Sequence, residues 1–284
     1  MEKFKKVEDA TMNAFIDSWK VNLEHNSKHF SSKNVVSTLI RKSKFKDIPC
    51  VIVLAGSSAY KDLSVIYALK NKCLLLCCDV IAKILIDNKI VPNIIVNLDT
   101  QEAAFISLFD ACNSLGTRNN TLLVVPTTCN KNIITKCNFN IVFYNKYVTH
   151  IKFFNDILQK YGYIGSLMVG FTVSTVCLSL AILLGCNPIL FIGNDLSFDK
   201  LDVNFYSYCD GIIKYKDKFT TNNFIVTKEW YKLMYNIFSN HNVYTTSYSS
   251  LVDSDIFTVI SLNNFIDKCC KTDYNISWLI NKSL

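Results

Sequence analysis

Four apolar runs that each end in a small or acidic residue constrain this chain more than any other feature. Residues 51–55 lead into Gly56-Ser57-Ser58 and residues 74–78 into Asp79, while residues 94–96 lead into Asn97-Leu98-Asp99 and residues 189–192 into Gly193-Asn194-Asp195. Strands buried on both faces of a parallel sheet read as unbroken apolar runs, and ligands bind in the crevice beyond their carboxyl ends. Glycine there permits close approach, and aspartate holds hydroxyls or a metal. Strand-to-helix turns favour Gly, Ser and Asp on their own account. Four such ends in one chain nevertheless point to a shared site.

The stretches between the runs support parallel pairing. A helix is expected over 61–70, a strand over 73–78 and a helix from Asp79 to about 88. Pro92 opens a strand over 94–98, and a helix follows over 101–115 with apolar positions recurring at three and four. Strands over 121–125 and 141–144 flank a short helix over 130–137. Such alternation implies right-handed crossovers and an α/β, Rossmann-like, mostly parallel sheet with helices on both faces. Residues up to about 43 read as helical, with Trp19, Val21 and Leu23 and later Val35, Val36, Leu39 and Ile40 as the packing positions. The expected division is therefore a helical N-terminal extension over 1–46 and one Rossmann-like domain over 47–284. Beyond Asp195 the pattern changes: 197–223 is polar and Tyr-rich, long enough for a lid, with Phe198, Phe205, Tyr206, Tyr208 and Tyr215 as aromatics for stacking on a base or a pterin. Helical periodicity returns over 228–238, followed by a strand over 242–246, a short helix over 262–270 and a packed tail around Trp278.

Composition excludes several classes. The net charge of +7 comes from lysine, since Arg41 and Arg118 are the only arginines. Nucleic-acid binders use Arg for bidentate recognition and a basic stripe with aromatics, so a solvated lysine surface and no nucleic-acid partner are expected. The 12 cysteines include no Cys-x-x-Cys pair, and Cys73, Cys77, Cys177 and Cys186 lie inside apolar runs. Such thiols behave as small buried hydrophobes, which predicts a reduced, cytoplasmic protein without disulfides. No apolar segment follows the basic N-terminus, so no secretory signal is expected. Residues 161–194 carry no charge, yet Gly185 and Pro188 divide them into a buried helix from about Gly170 and a strand over 189–192. No membrane span is expected, because the flanking Lys and aromatic anchors are missing.

The Gly56-Ser57-Ser58 turn offers backbone N–H groups, hydroxyls and a helix dipole to an anion such as phosphate. Neither Gly-x-Gly-x-x-Gly nor a Walker motif is present, which disfavours dinucleotide redox enzymes and P-loop ATPases. Asp79, Asp99 and Asp195 end strands expected to be neighbours, so two could share Mg, or one could hold a ribose while another takes a proton. Each could equally be a helix N-cap. Asn97 and Asn194 could read a base or sugar edge. His25 and His29 have the spacing of a metal pair but sit in a polar segment without the metalloprotease Glu, so they read as surface. Gly-x-Ser-x-Gly is absent, which argues against a hydrolase.

These motifs resemble the motility accessory factor (Maf) proteins and their MptE-like relatives, the 6-hydroxymethylpterin pyrophosphokinases. Ala55-Gly56-Ser57-Ser58 stands where that family has a Gly-x-Gly-Pro-Ser-Leu turn, with Ser57 for its Pro and Ala59 for its Leu. Leu76-Cys-Cys-Asp79 follows, then the run from Asn88 through Pro92 to Asp99. Gly170-Phe-Thr172-Val173, with Leu184-Gly185-Cys186-Asn-Pro188 and Gly193-Asn194-Asp195-Leu196, is similar to the family's central helix and Gly-x-Asp-Leu strand. The layout is also similar to bacterial sialyltransferases, whose His base has no counterpart in 197–228.

The resemblance implies a transferase with a nucleotide donor. Gly56, Ser57, Ser58, Asp79, Asn97, Gly170, Thr172, Gly193 and Asn194 would bind the nucleotide, and Asp99 and Asp195 would be catalytic. The leading expectation is transfer of a nonulosonic, sialic-like sugar from a CMP donor to a protein such as flagellin. The alternative is a diphosphokinase that uses ATP and Mg on 6-hydroxymethyl-dihydropterin, with Asp99 and Asp195 on the metal. A third reading is a non-catalytic accessory protein that keeps the fold.

Overall fold

The computed structural model describes residues 2–116, 120–198, 211–215, 217–238, 240–246 and 256–283. Its N-terminal helices are α1 (Glu2–Asn26) and α2 (Val36–Lys42). Strands and helices then alternate: β1 (Cys50–Val53), α3 (Leu63–Tyr67), β2 (Leu74–Cys78), α4 (Asp79–Asp87), β3 (Ile94–Val96) and α5 (Glu102–Leu115). After these come β4 (Leu122–Pro126), α6 (Lys131–Lys136), β5 (Asn140–Tyr147), α7 (Lys152–Tyr161), β6 (Ser166–Met168), α8 (Val173–Leu183) and β7 (Ile189–Ile192). The C-terminal part holds the hairpin β8 (Ile212–Tyr215) and β9 (Lys218–Thr221), then α9 (Asn222–Phe238), β10 (Val243–Thr245), β11 (Thr258–Val259), α10 (Leu262–Cys269) and α11 (Ile276–Ser283).

Nine strands form one sheet in the order β11-β10-β7-β1-β2-β3-β4-β5-β6, and every neighbouring pair is parallel. The expected α/β, Rossmann-like architecture is therefore present. From β1 to β6 the chain steps outward in one direction, then returns through α8 to place β7 on the other side of β1. Right-handed crossovers put the helices of the outward path on one face and α8 and α9 on the opposite one. The gap between β7 and β1 is thus a topological switch point, where an open α/β sheet forms its binding crevice.

Every residue of β1, β2, β3, β4 and β7 is buried, because helices cover both faces of the sheet. That is why these strands read as continuous apolar runs rather than alternating ones. The uncharged stretch resolves into α8, buried from Ser174 to Ala181, and β7. No helix among the described residues is long and apolar enough to cross a membrane. Every described cysteine except Cys269 is buried, and all are free thiols.

The structure moves several expected boundaries. The helix after the Gly turn is a 3₁₀ segment from Ser57 to Lys61 followed by the short α3. α8 starts at Val173 rather than near Gly170, with Thr172 extended in the N-cap position. α9 begins at Asn222, ahead of 228, because it follows directly from the hairpin. Within 197–223, residues 199–210, and with them Phe205, Tyr206 and Tyr208, lie outside the described residues, as does the side chain of Trp278. Phe198 packs inward against Phe219 with ring centroids 6.2 Å apart, so it is a core residue and not a free stacking platform.

The N-terminal helices attach in different ways. Val36 and Leu39 of α2, with Phe45 beyond it, belong to the main core. α1 instead lies across the ends of β3 to β5 through a separate small cluster, in which Trp19 packs with Phe154 and Ile157 of α7. Trp19 Nε1–H donates to Thr100 Oγ1 at 3.0 Å, and the Asn26 amide donates to the carbonyls of Thr127 and Cys129 at 3.2 and 2.9 Å.

Candidate functional site

At the switch point the Gly turn and the end of β7 are locked together. Gly56 N–H donates to Gly193 O at 3.0 Å. Ser58 gives its N–H to Asp195 Oδ2 at 2.9 Å and its hydroxyl to Oδ1 at 2.5 Å, while Ser57 Oγ stands 3.5 Å from Oδ2. A Cβ on Gly56 would collide with Gly193 O and lie 2.6 Å from Asp195 Oδ2, so glycine is required for this approach. Gly193 has φ +73°, and a Cβ there would also meet the carbonyl of Leu54. Of the donors of the turn expected to cradle phosphate, Gly56 N–H is thus taken by a carbonyl and both donors of Ser58 by a carboxylate of the protein itself. Asp195 is 7% exposed and accepts from Ser58 N–H and the Ser58 hydroxyl, which ties the turn to the end of β7.

Next to this lock is a cavity of about 140 Å³ that reaches the N-terminus of α8. Gly56, Asn194, Thr172 and Ser174 are among its walls. No side chain caps the first turn of α8. The hydroxyls of Thr172 and Ser174 are 2.7 Å apart, and Tyr231 of α9 donates to Ser174 Oγ at 2.7 Å. Asn194 Nδ2 lies 3.5 Å from the Tyr231 oxygen. The uncapped N–H groups and the helix dipole favour an anion at this end of a chamber whose exposed lining is otherwise largely apolar, while the hydroxyls of Thr172, Ser174 and Tyr231 bond to one another.

A second cavity, of about 390 Å³, adjoins the first along the 170–173 segment and the start of α9. α1 walls it with Phe15 and Trp19, and Asp99, Lys146, Phe154 and Gly170 stand opposite. Gly170 N–H donates to Thr175 Oγ1 at 2.8 Å, and a Cβ there would press on Thr175 Cγ2 at 2.7 Å and on the Trp230 ring at 3.0 Å. A site of this size falls in the usual range of small-molecule pockets, about 300–1,000 Å³.

Charge in and behind the larger cavity centres on three groups. Asp79 is buried, accepting from Asn97 Nδ2 at 2.7 Å and from Val80 N–H at 3.0 Å. Burial first, and then the charge of Asp99, push its pKa up to about 7 against the pull of those donors. Asp99 opens to solvent at the cavity mouth; the protein packed around its carboxyl still raises its pKa, with the Lys146 ammonium opposing. Lys146 is 8% exposed, and burial pulls its pKa down to about 8 against the fields of Asp99 and Cys129. Its Nζ sits 5.1 Å from the Trp19 ring centroid and 5.8 Å from that of Phe154. Such cation–π contacts stabilise by about 0.5–2 kcal/mol each.

The expected residues therefore divide between two chambers. Gly56, Thr172, Gly193, Asn194 and Asp195 line the smaller, with Ser57 and Ser58 held against Asp195; Gly170 and Asp99 line the larger. Asp79 and Asn97 stand behind them: Asn97 is fully buried and orients Asp79 instead of facing a base or sugar. Asp99 and Asp195 do not come together. They follow β3 and β7, three strand steps apart, which is about 14 Å at roughly 4.8 Å per step. One ion cannot bridge them. Among the described residues no three His, Cys, Asp or Glu side chains cluster as metal ligands. Lys146 and the α1 wall are functional candidates that sequence reasoning missed. A lysine continuing the apolar run of β5 was the available signal, since a charge in a buried strand needs a reason.

Comparison with known proteins agrees with this architecture. The chain matches the family described as 6-hydroxymethylpterin diphosphokinase MptE-like over residues 21–201. Among solved structures it is similar to the MAf glycosyltransferase from Magnetospirillum magneticum AMB-1, at 16% identity and a TM-score of 0.64. That likeness covers 89% of this chain but 41% of the other, so the chain spans less than half of that protein, and the likeness is one of fold. No curated protein matches the chain. With the family match extending over more than half of its 284 residues, and with the strand-end motifs in the expected order, this chain belongs to the MptE-like family.

Proposed function

We propose that this chain is a transferase that moves a group from a nucleotide donor to an acceptor hydroxyl. The observation that carries this reading is the pair of adjoining chambers along the strand ends. The smaller suits the donor phosphates, favoured by the uncapped N-terminus of α8. The larger suits the body of the group in transit. Asp99, whose raised pKa brings it nearer neutrality, takes the acceptor proton as the new bond forms and the nucleotide departs. Asp195 acts as a positioning residue, holding the Gly turn through Ser57 and Ser58.

In its finer form the donor is a CMP-linked nonulosonic sugar and the acceptor a Ser or Thr of a protein such as flagellin. The fold shared with a Maf glycosyltransferase supports this form. A second reading is an ATP-dependent 6-hydroxymethyl-dihydropterin diphosphokinase, favoured by the family description and by the neighbouring carboxylates of Asp79 and Asp99. Mg would then be held by Asp99 and Asp79, with the buried Asn97 Oδ1, which has no partner, as a further oxygen. These oxygen groups fit Mg, which would neutralise diphosphate charge when bound.

Thermal denaturation with CMP, CDP, ATP and GTP tests the donor chamber. Saturation at about a hundredfold over Kd should stabilise the native state by about 2.7 kcal/mol, a rise of roughly 4–5 °C in Tm. No shift with any nucleotide at millimolar concentration refutes the reading. CMP release from a CMP-nonulosonate with flagellin favours sugar transfer, and AMP release from ATP, Mg and the pterin favours the diphosphokinase. Nucleotide binding with neither product would point to a non-catalytic accessory role.

A further inference from the structure

Lys146 is a buried ammonium in a chamber whose walls mix aromatic and aliphatic side chains with polar groups. It is more than nine-tenths buried, and its Nζ meets the faces of Trp19 and Phe154 and the field of Asp99, which is not within ion-pairing distance. Ring faces attract a cation but accept none of its protons in the manner of an oxygen, and a buried charge without an oxygen partner is costly. The remaining directions open into the cavity of about 390 Å³. Trp19, Phe15 and Leu98 give that cavity apolar surface, while Asp99 sits at its mouth and Gln101 and Asn223 add amides.

We propose that the cavity beneath α1 binds a small organic anion, a carboxylate or phosphate on an apolar-faced body, with the charged end on Lys146. Lys146 donates to the anion's oxygens from between the two rings, and the body lies against Phe15 and Leu98. Asp99 at the mouth then faces the end of the ligand away from its charge, and a hydroxyl or amine there would donate to it. The geometry therefore selects a bifunctional ligand, anionic at one end and a hydrogen-bond donor at the other. This deepens the transferase reading, because it rests on the same chamber and states which chemistry the chamber admits.

The test uses the full chain and simple probes: benzoate and phenyl phosphate as anions, benzamide as the neutral isostere, and inorganic phosphate as an anion without a body. Calorimetric titration should find both aromatic anions binding at least about tenfold more tightly than benzamide, as expected for a desolvated charge-assisted hydrogen bond. Lys146→Met should erase that difference, and Lys146→Arg should retain part of it. Both variants are checked for folding by circular dichroism. Equal binding of benzoate and benzamide, unchanged benzoate affinity in folded Lys146→Met, or no binding of any aromatic anion at about 10 mM, where a contact worth about 3 kcal/mol would already register, would overturn the proposal. Inorganic phosphate binding as tightly as phenyl phosphate would overturn the part played by the apolar walls. Nucleotide-induced stabilisation is measured on the same samples: its absence in the wild type removes the donor chamber, whereas loss of anion selectivity alone removes the role of Lys146.

Discussion

Replacing Asp79 with asparagine should stabilise this protein at alkaline pH, although it alters a buried side chain with two hydrogen bonds. The reason is the charge. An ordinary aspartate titrates near 3.8, and burial beside Asp99 lifts Asp79 to about 7. A carboxyl whose folded pKa is raised binds more protons in the folded than in the unfolded state. Its stabilising contribution is complete below about pH 3.8 and is lost as pH rises to 7. At roughly 1.4 kcal/mol per tenfold change, the ionised group costs about 4 kcal/mol at about pH 8.5.

The Asp79→Asn side chain avoids that cost but presents an N–H₂ where the carboxylate accepted from Asn97 Nδ2. A flip of the Asn97 amide resolves the clash, because Asn97 Oδ1 has no partner in the native protein and would accept from the new amide. The flip leaves one amide nitrogen without an acceptor, a loss of about 1–3 kcal/mol. The net expectation is a gain of about 1–3 kcal/mol at about pH 8.5. Near pH 4, where Asp79 is neutral, the gain should vanish or reverse. Urea denaturation at both values, with m compared to exclude a change in the unfolded state, measures this directly. Destabilisation at the alkaline value, or an equal effect at both, would refute the assigned cause.

Three further outcomes follow from other residues. Lys146→Met should raise stability at about pH 7 by about 2–3 kcal/mol; the folded pKa of about 8 is below the usual 10.5, so the gain should fade between those values, with Asp99 and Cys129 as the titrating neighbours to monitor by denaturation across that range. Gly56→Ala should cost about 1–3 kcal/mol through the collision with Gly193 O and Asp195 and should weaken nucleotide-induced stabilisation, whereas unchanged Tm and binding would mean that the turn is not locked against β7. Trp19→Ala should free α1 by emptying the small cluster it forms with Phe154 and Ile157; limited proteolysis would then cut within α1 while hydrogen exchange in β1, β2 and β7 stays protected, and loss of that protection would contradict the separate attachment of α1.

Parallel strands buried on both faces were readable because burial forbids alternation. β7 matches its apolar run, and β2 and β3 match theirs to within one or two residues. β6 and β11 were not readable, since both are very short and partly exposed, so that neither extends a buried apolar run. β8 and β9 were hidden for the opposite reason: their pairing is antiparallel and partly exposed, so a polar Tyr-rich stretch looked irregular. For the site, local sequence identified strand ends but not strand order. Asp195 meets Ser58 because β7 lies beside β1, and Asp99 is remote from Asp195 because β1 and β2 stand between β7 and β3. Nothing in the four runs encodes that order. Lys146 escaped because the strand was expected to stop at Tyr144, three residues before β5 ends.

The buried cysteines make the native state chemically quiet and the open state reactive. Burial raises the thiol pKa of Cys50, Cys73, Cys77, Cys78 and Cys177, so the thiolate that alkylating agents and oxidants attack is scarce while the sheet is closed. Opening exposes many thiols at once, at ordinary acidity and in one chain. In air, crosslinking of the open chain then competes with refolding, and the lifetime of the protein becomes a matter of how rarely the sheet opens. The same thiols serve as built-in clocks. Cys77 and Cys78 in β2 should react only on opening of the sheet centre, and Cys269, half-buried at the end of α10, should react first among the described cysteines.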